Sequence, residues 1–175
     1  AHVKKTLLAL LLLPAFAHAQ TPPATNATDA RFQSIYQAEW NWRVQQAPGY
    51  DEDSDNSARK PAYTLEDVSP AAQAQRLAYL DGVLQQLDGI DPNALSPREQ
   101  VNHAVYHPQI AHMAASLRFR DYEMPFNADS SFWANLGFMA QAELRDAEAY
   151  RAYAARLRDV PRHFDQQIAN MRAGL

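Results

Sequence analysis

Glu99, His103 and His107 recur at intervals of four residues, a spacing that sets one carboxylate and two imidazoles on the same side of a helix, with His112 following. Imidazole and carboxylate are donors that zinc takes, so this row is where a metal centre would be sought, with His103 and His107 as its candidates. The pattern stops short of one. A helical zinc hydrolase pairs two histidines one turn apart with a glutamate directly after the first, and no histidine in this chain is followed by glutamate. Pro108 also distorts the turn on which His107 and His112 would have to cooperate. Hydrogen-bonded or solvent-facing histidines are therefore expected, and no metal ligand is assigned.

A second cluster, Arg118-Phe119-Arg120-Asp121-Tyr122-Glu123, sets two guanidinium groups, two carboxylates and two rings just ahead of Pro125. An arginine fork can hold a substrate carboxylate in two parallel bonds, which makes Arg120, Tyr122 and Glu123 candidates for a substrate cleft. The same side chains can instead form a salt-bridged corner between two helices, and that structural role is the preferred one. Trp40 and Trp42 flank Asn41 and so leave a helix on different sides, which suits core and interface packing better than an aromatic cage. No glycine-rich phosphate loop, Gly-x-Ser-x-Gly elbow or cysteine nucleophile occurs, and no catalytic residue is assigned.

The elements that would position these groups follow an N-terminal stretch of different character. Lys4 and Lys5 precede an apolar run from Leu7 to Phe16 that ends in Ala17-His18-Ala19. This is the pattern of a cleavable signal peptide over residues 1–19, too short in its apolar part to anchor a bilayer, and it predicts a periplasmic or secreted product with no membrane attachment after cleavage. Without Lys4 and Lys5 the 16 basic residues fall to 14 against 20 acidic ones, a formal charge of −6, which argues against a nucleic-acid partner. There is no cysteine, so stability must come from packing alone.

Residues 20–28 read as a flexible tether of Thr, Pro, Ala and Asn, and residues 29–175 as one helical region, with few glycines and abundant Ala, Gln, Arg and Leu. The apolar spacing predicts a first helix over 29–46 with Asp29 in its first turn, then a long loop holding the polar run from Asp51 to Lys60, which is either a contact surface or a plain solvated connection. Ser69-Pro70 and Ser96-Pro97 each mark a helix start. The second helix carries a stripe of Leu77, Leu80, Leu84 and Leu87, and the third contains Pro108, where a kink is expected. A core helix over 129–140, another over 146–158 with Tyr150, Tyr153 and Leu157 on one face, and a last one opened by Pro161 complete an all-α, irregular bundle of about five or six helices.

Several strings carry more than their periodicity: Ala38-Glu39-Trp40-Asn41-Trp42-Arg43, Asp67-Val68-Ser69-Pro70, the run from Phe119 to Asn127, and the tail through Pro161-Arg162-His163-Phe164-Asp165 to Asn170-Met171-Arg172-Ala173-Gly174-Leu175. Together they resemble the N-terminal portion of the domain-of-unknown-function 885 family of bacterial proteins, over essentially everything after the tether. The resemblance implies a larger, exported, zinc-metallopeptidase-like helical fold whose His/Glu metal motif lies beyond Leu175. On that basis the chain is expected to be truncated and inactive alone. It would help form the fold and wall of a substrate cleft, with the missing C-terminal catalytic portion as partner, peptide as substrate and zinc as the cofactor of the full-length protein. The alternative is a self-contained periplasmic helical binding module without catalytic activity.

Overall fold

The computed structural model describes residues 26–46, 62–126, 131–134, 136 and 144–175. The expected signal peptide and the polar run from Asp51 to Lys60 lie outside them, as does most of the expected helix over 129–140. Four α-helices occur among the described residues: α1 (Ala27–Gln46), α2 (Pro70–Asp88), α3 (Pro97–Arg118) and α4 (Ala147–Ala173), with short 3-10 turns at Pro92–Ala94 and Asp121–Glu123. The protein is all-helical there, apart from one isolated antiparallel bridge between Phe126 and Ser131. None of these helices is long and apolar enough to cross a membrane.

Local chemistry explains the boundaries. Asn26 caps α1 by accepting from the Asp29 amide at 2.7 Å, so the helix starts two residues ahead of its expected position. Ser69 caps α2 by accepting from the Ala72 amide at 3.3 Å, with Pro70 at the first helical position, where its missing N–H costs nothing. At Ser96-Pro97 the start is as expected but the cap is not: the Ser96 hydroxyl makes no capping bond. Its amide instead donates to Asp29 Oδ1 at 2.9 Å, so the carboxylate expected to serve α1 ties α1 to the beginning of α3.

The core lies where α1, α2 and α3 meet and is built from Phe32, Ile35, Leu80, Val83, Leu87, Ile90, Leu95, Ile110 and Ala114. Leu80 and Leu87 of the predicted leucine stripe are buried, while Leu77 and Leu84 flank them. α2 and α3 form the most extensive helix pair, with α1 against both. α3 runs on through Pro108, which lies on its exposed side together with Val101 and Val105.

Two features of the last helix depart from expectation. Residues 147–173 form one helix, not two, with Pro161 in its interior. The carbonyl that Pro161 leaves without its usual donor belongs to Leu157, and both residues are exposed, so water can satisfy it and the helix need not end. The buried face is also not the one marked by Tyr150 and Leu157, which are exposed; Ala152, Arg156, His163, Gln167 and Asn170 are buried instead.

His163 and Asn170 of this face, with the half-buried Asp159, Arg162 and Gln166 beside it, grip the extended segment 62–69, the strap. Asp159 Oδ2 accepts from the Leu65 amide at 2.8 Å and Gln166 Oε1 from the Val68 amide at 3.1 Å. Arg162 Nη2 donates to the Leu65 carbonyl at 3.0 Å, and Asn170 Nδ2 to the Val68 carbonyl at 2.8 Å. His163 Nδ1 lies 3.1 Å from the Glu66 carbonyl, which can only accept, so that nitrogen carries the proton. Leu65 and Val68 are buried beneath the same contacts. The far end of α4 closes on the 3-10 turn, where a Cβ added at Gly174 would come within 2.9 Å of the Glu123 Cβ.

Candidate functional site

A cleft of about 330 Å³ opens where the C-terminal part of α1, the strap, α2 and α3 converge. Trp42, Leu80, Met113 and Leu117 give it apolar surface; Arg43, Glu66, Arg76 and His112 bring charge or titratable groups. Apolar walls with a few convergent polar groups are the general character of a ligand site. A second concavity of similar volume, between the start of α1 and the residues after α2, is lined by Ala27, Arg31, Gly89 and Asp91 and concentrates less chemistry.

The α1 side of the cleft is held rigid from behind. Glu39 is 0% exposed and lies between the helices. Arg43 Nε and Nη2 donate to its two oxygens at 2.8 and 2.6 Å, and the Tyr106 hydroxyl of α3 donates to Oε2 at 2.8 Å. The Glu39 hydrogen bond holds the Arg43 guanidinium above its usual range, and burial, reinforced by that carboxylate, pushes the Tyr106 phenol far above its own. Trp42 stacks on Tyr79 of α2 with ring centroids 3.9 Å apart. Trp40 is exposed beneath the Arg43 guanidinium, so the two tryptophans do point to different sides of α1.

The opposite side is built on Arg76. Arg76 Nη1 donates to Gln73 Oε1 at 3.1 Å, and its Nη2 meets Glu66 Oε1 of the strap, also at 3.1 Å. Burial raises the Glu66 carboxyl above the ordinary carboxylate range, against the pull of Arg76 and His163.

The histidine row does share one face of α3, with Glu99 and His103 buried and His107 half-buried, but each member has another partner. Glu99 accepts from Gln33 at 3.1 Å and from Asn102 at 2.9 Å. His103 Nε2 lies 3.4 Å from the Leu87 carbonyl, with its ring against Phe32, and His107 Nε2 lies 2.7 Å from Asp88 Oδ1. Among the described residues no group of three or more His, Cys, Asp or Glu could hold a metal ion. The described residues of the histidine row are thus taken up in hydrogen bonds and ring contacts, not gathered round a common point.

Arg120, Tyr122 and Glu123 are not among the residues lining the cleft. Arg120 stands at a left-handed backbone position with φ 60°, pairs with Glu123 three residues on, and is followed by the turn that receives the end of α4. Its neighbour Arg118 bonds Asp81 of α2 at 2.7 Å, so this corner joins α3 to α2 as well as to α4. Sequence reasoning missed Arg76 and Glu66 as a pair. The only signal was a charged residue one turn before Leu80, in line with the leucine stripe.

Residues 49–175 match the family described as "Bacterial protein of unknown function (DUF885)", and the chain belongs to it. α1 lies ahead of the matched residues, so the string from Ala38 to Arg43 falls outside the match. No curated protein and no solved structure matches the chain.

Proposed function

We propose that this chain is the N-terminal helical part of an exported metallopeptidase-like hydrolase, that it walls the substrate cleft, and that zinc and the catalytic groups are supplied by a C-terminal portion outside it. The observation that supports this best is the cleft itself, with apolar walls and two guanidinium groups beside a family segment in which no described cluster fits a metal. Peptide is the substrate that suits such a wall, since the cleft offers both apolar surface and partners for polar groups. The apolar residues exposed on α3 and beyond it, Val101, Val105 and Phe119, are what a helical region leaves uncovered when it docks on a further part. Purified mature chain should cleave no peptide in a chelator-sensitive way, and such cleavage would refute the assignment of catalysis elsewhere. A reading frame continuing past Leu175 with a His/Glu metal motif would support it.

The second reading is a self-contained periplasmic binding module. It is favoured by the closure of the core cluster within α1, α2 and α3. Environment-sensitive dye binding separates the two: strong binding and self-association speak for an uncovered docking face, their absence for a complete module. Export is part of both readings. Fusing residues 1–19 to a reporter that is active only in the periplasm tests it, and a cytoplasmic, uncleaved fusion would sink it.

A further inference from the structure

We infer that the α1/α2/α3 cleft binds an amphipathic carboxylate, a molecule with a carboxylate beside an apolar group, and that Arg76 is its anchor while Glu66 is the chain's own stand-in for the ligand carboxylate. This rests on the cleft-wall reading for its peptide, and it names which chemical feature of a peptide the wall takes.

The two arginines facing the cleft are held in different ways. Arg43 is gripped by a fully buried carboxylate through two bonds of 2.8 and 2.6 Å, a fork that fixes its plane and leaves Glu39 no freedom to move away. Arg76 has the more buried side chain, 10% exposed, yet its described carboxylate contact is one nitrogen–oxygen pair at 3.1 Å. That carboxylate belongs to Glu66, whose side chain is 40% exposed and is carried on the strap, not on a helix. The cation is thus fixed by Gln73 and by burial, and its anion is the half-buried, more exposed partner of the two. A buried guanidinium favours an anion beside it, and a carboxylate that arrives on a ligand can make the bidentate contact that Glu66 does not.

The surroundings select the rest of the ligand. Trp42, immobilised by its stack on Tyr79, and Leu80, Met113 and Leu117 line the same cleft, so an apolar group next to the carboxylate is removed from water as the anion reaches Arg76. Arg43 is already matched by Glu39, so Arg76, whose own carboxylate partner Glu66 is the more exposed of the two, is the cation that an incoming acid can address.

The test is equilibrium binding of N-acetyl-leucine and of its uncharged amide, followed by two-dimensional NMR on the mature chain. The acid should perturb resonances of Trp42, Arg76 and Met113, and the amide should bind roughly tenfold more weakly, the loss expected for a charge-assisted contact. Glu66→Gln removes the internal competitor and should tighten the acid about threefold to tenfold while leaving the amide unchanged. Arg76→Gln should abolish the preference for the acid; if that variant fails to fold, Glu66→Gln and the acid–amide comparison decide alone. Equal binding of acid and amide, no binding of the acid, or weaker acid binding by Glu66→Gln would overturn the inference. None of these measurements needs catalysis, so they can fail while the hydrolase reading stands, and chelator-sensitive cleavage by this chain would sink that reading without touching them.

Discussion

The hydroxyl of Tyr106 donates to the buried carboxylate of Glu39 across 67 residues of sequence, at 2.8 Å, and that carboxylate in turn receives both forks of Arg43. One acid therefore fastens α1 to α3 and aims a guanidinium into the cleft. Removing it leaves a partly buried cation and a phenol without their acceptor. Glu39→Ala should cost about 3 kcal/mol of unfolding free energy, the range for breaking a buried pair from one side. Tyr106→Phe, which removes one donor and keeps the ring, should cost about 1 kcal/mol. Urea denaturation of the two variants checks both, and equal losses would mean that the network is not organised around Glu39.

The same bond sets an alkaline dependence. The folded Tyr106 phenol holds its proton far more tightly than an unfolded one, chiefly through burial and then through its bond to Glu39. Its contribution to stability is complete below the unfolded tyrosine pKa of about 10 and falls as pH rises beyond that towards the folded value. Tyr106→Phe should therefore flatten the alkaline limb of the stability curve. An unchanged limb would show that Tyr106 ionises in the folded state like an exposed tyrosine.

Asp159 predicts the opposite limb. Its bond from Arg162, then that from the Leu65 amide, holds its carboxyl below the usual aspartate range. The stabilisation is present above the unfolded value of about 3.9 and is lost as pH falls through the lower, folded one. Asp159→Asn should reduce the acid sensitivity of the grip on the strap and cost roughly 1–2 kcal/mol at neutral pH. Hydrogen exchange at the Leu65 and Val68 amides should accelerate in this variant before exchange in α2 does; simultaneous acceleration would mean that strap and core open as one.

Arg120 holds a left-handed conformation that glycine adopts freely and a β-branched residue resists. Arg120→Gly should leave the thermal midpoint nearly unchanged, because relief of the backbone offsets an exposed ion pair worth little. Arg120→Val should unfold at a clearly lower temperature than the glycine variant. Thermal unfolding of the pair decides it, and equal midpoints would place the turn in another conformation.

The helical class was legible because its signals are local. Ser69-Pro70 and Ser96-Pro97 stand at real helix starts, and the leucines of α2 recur with the period of the face that meets α3. The last helix was not, since a proline signals a start or an interruption equally well until the exposure of the preceding turn is known. Its buried face escaped for a deeper reason: Arg156, His163, Gln167 and Asn170 occupy positions where apolar periodicity looks for leucine. A face that binds a neighbouring backbone needs donors and acceptors, and so looks solvated in sequence. The histidine row was read correctly as one face of α3, but its partners, Leu87, Asp88, Gln33 and Asn102, are set by packing and by short-range bonds that spacing alone does not reveal. For the cleft, the chemistry lies in Arg76 and Glu66, which only the fold brings together.

That the strap is held by hydrogen bonds fixes the register of α4. An apolar interface can slide by a fraction of a turn and still bury nearly the same area. Here Asp159, Arg162, His163, Gln166 and Asn170 meet successive groups of one extended backbone. A slip of one helical turn, about 5.4 Å, would separate every donor from its acceptor at once. The longest helix among the described residues is therefore indexed to a single axial position, and its far end, where Gly174 lies against Glu123, is placed by a contact made at the strap.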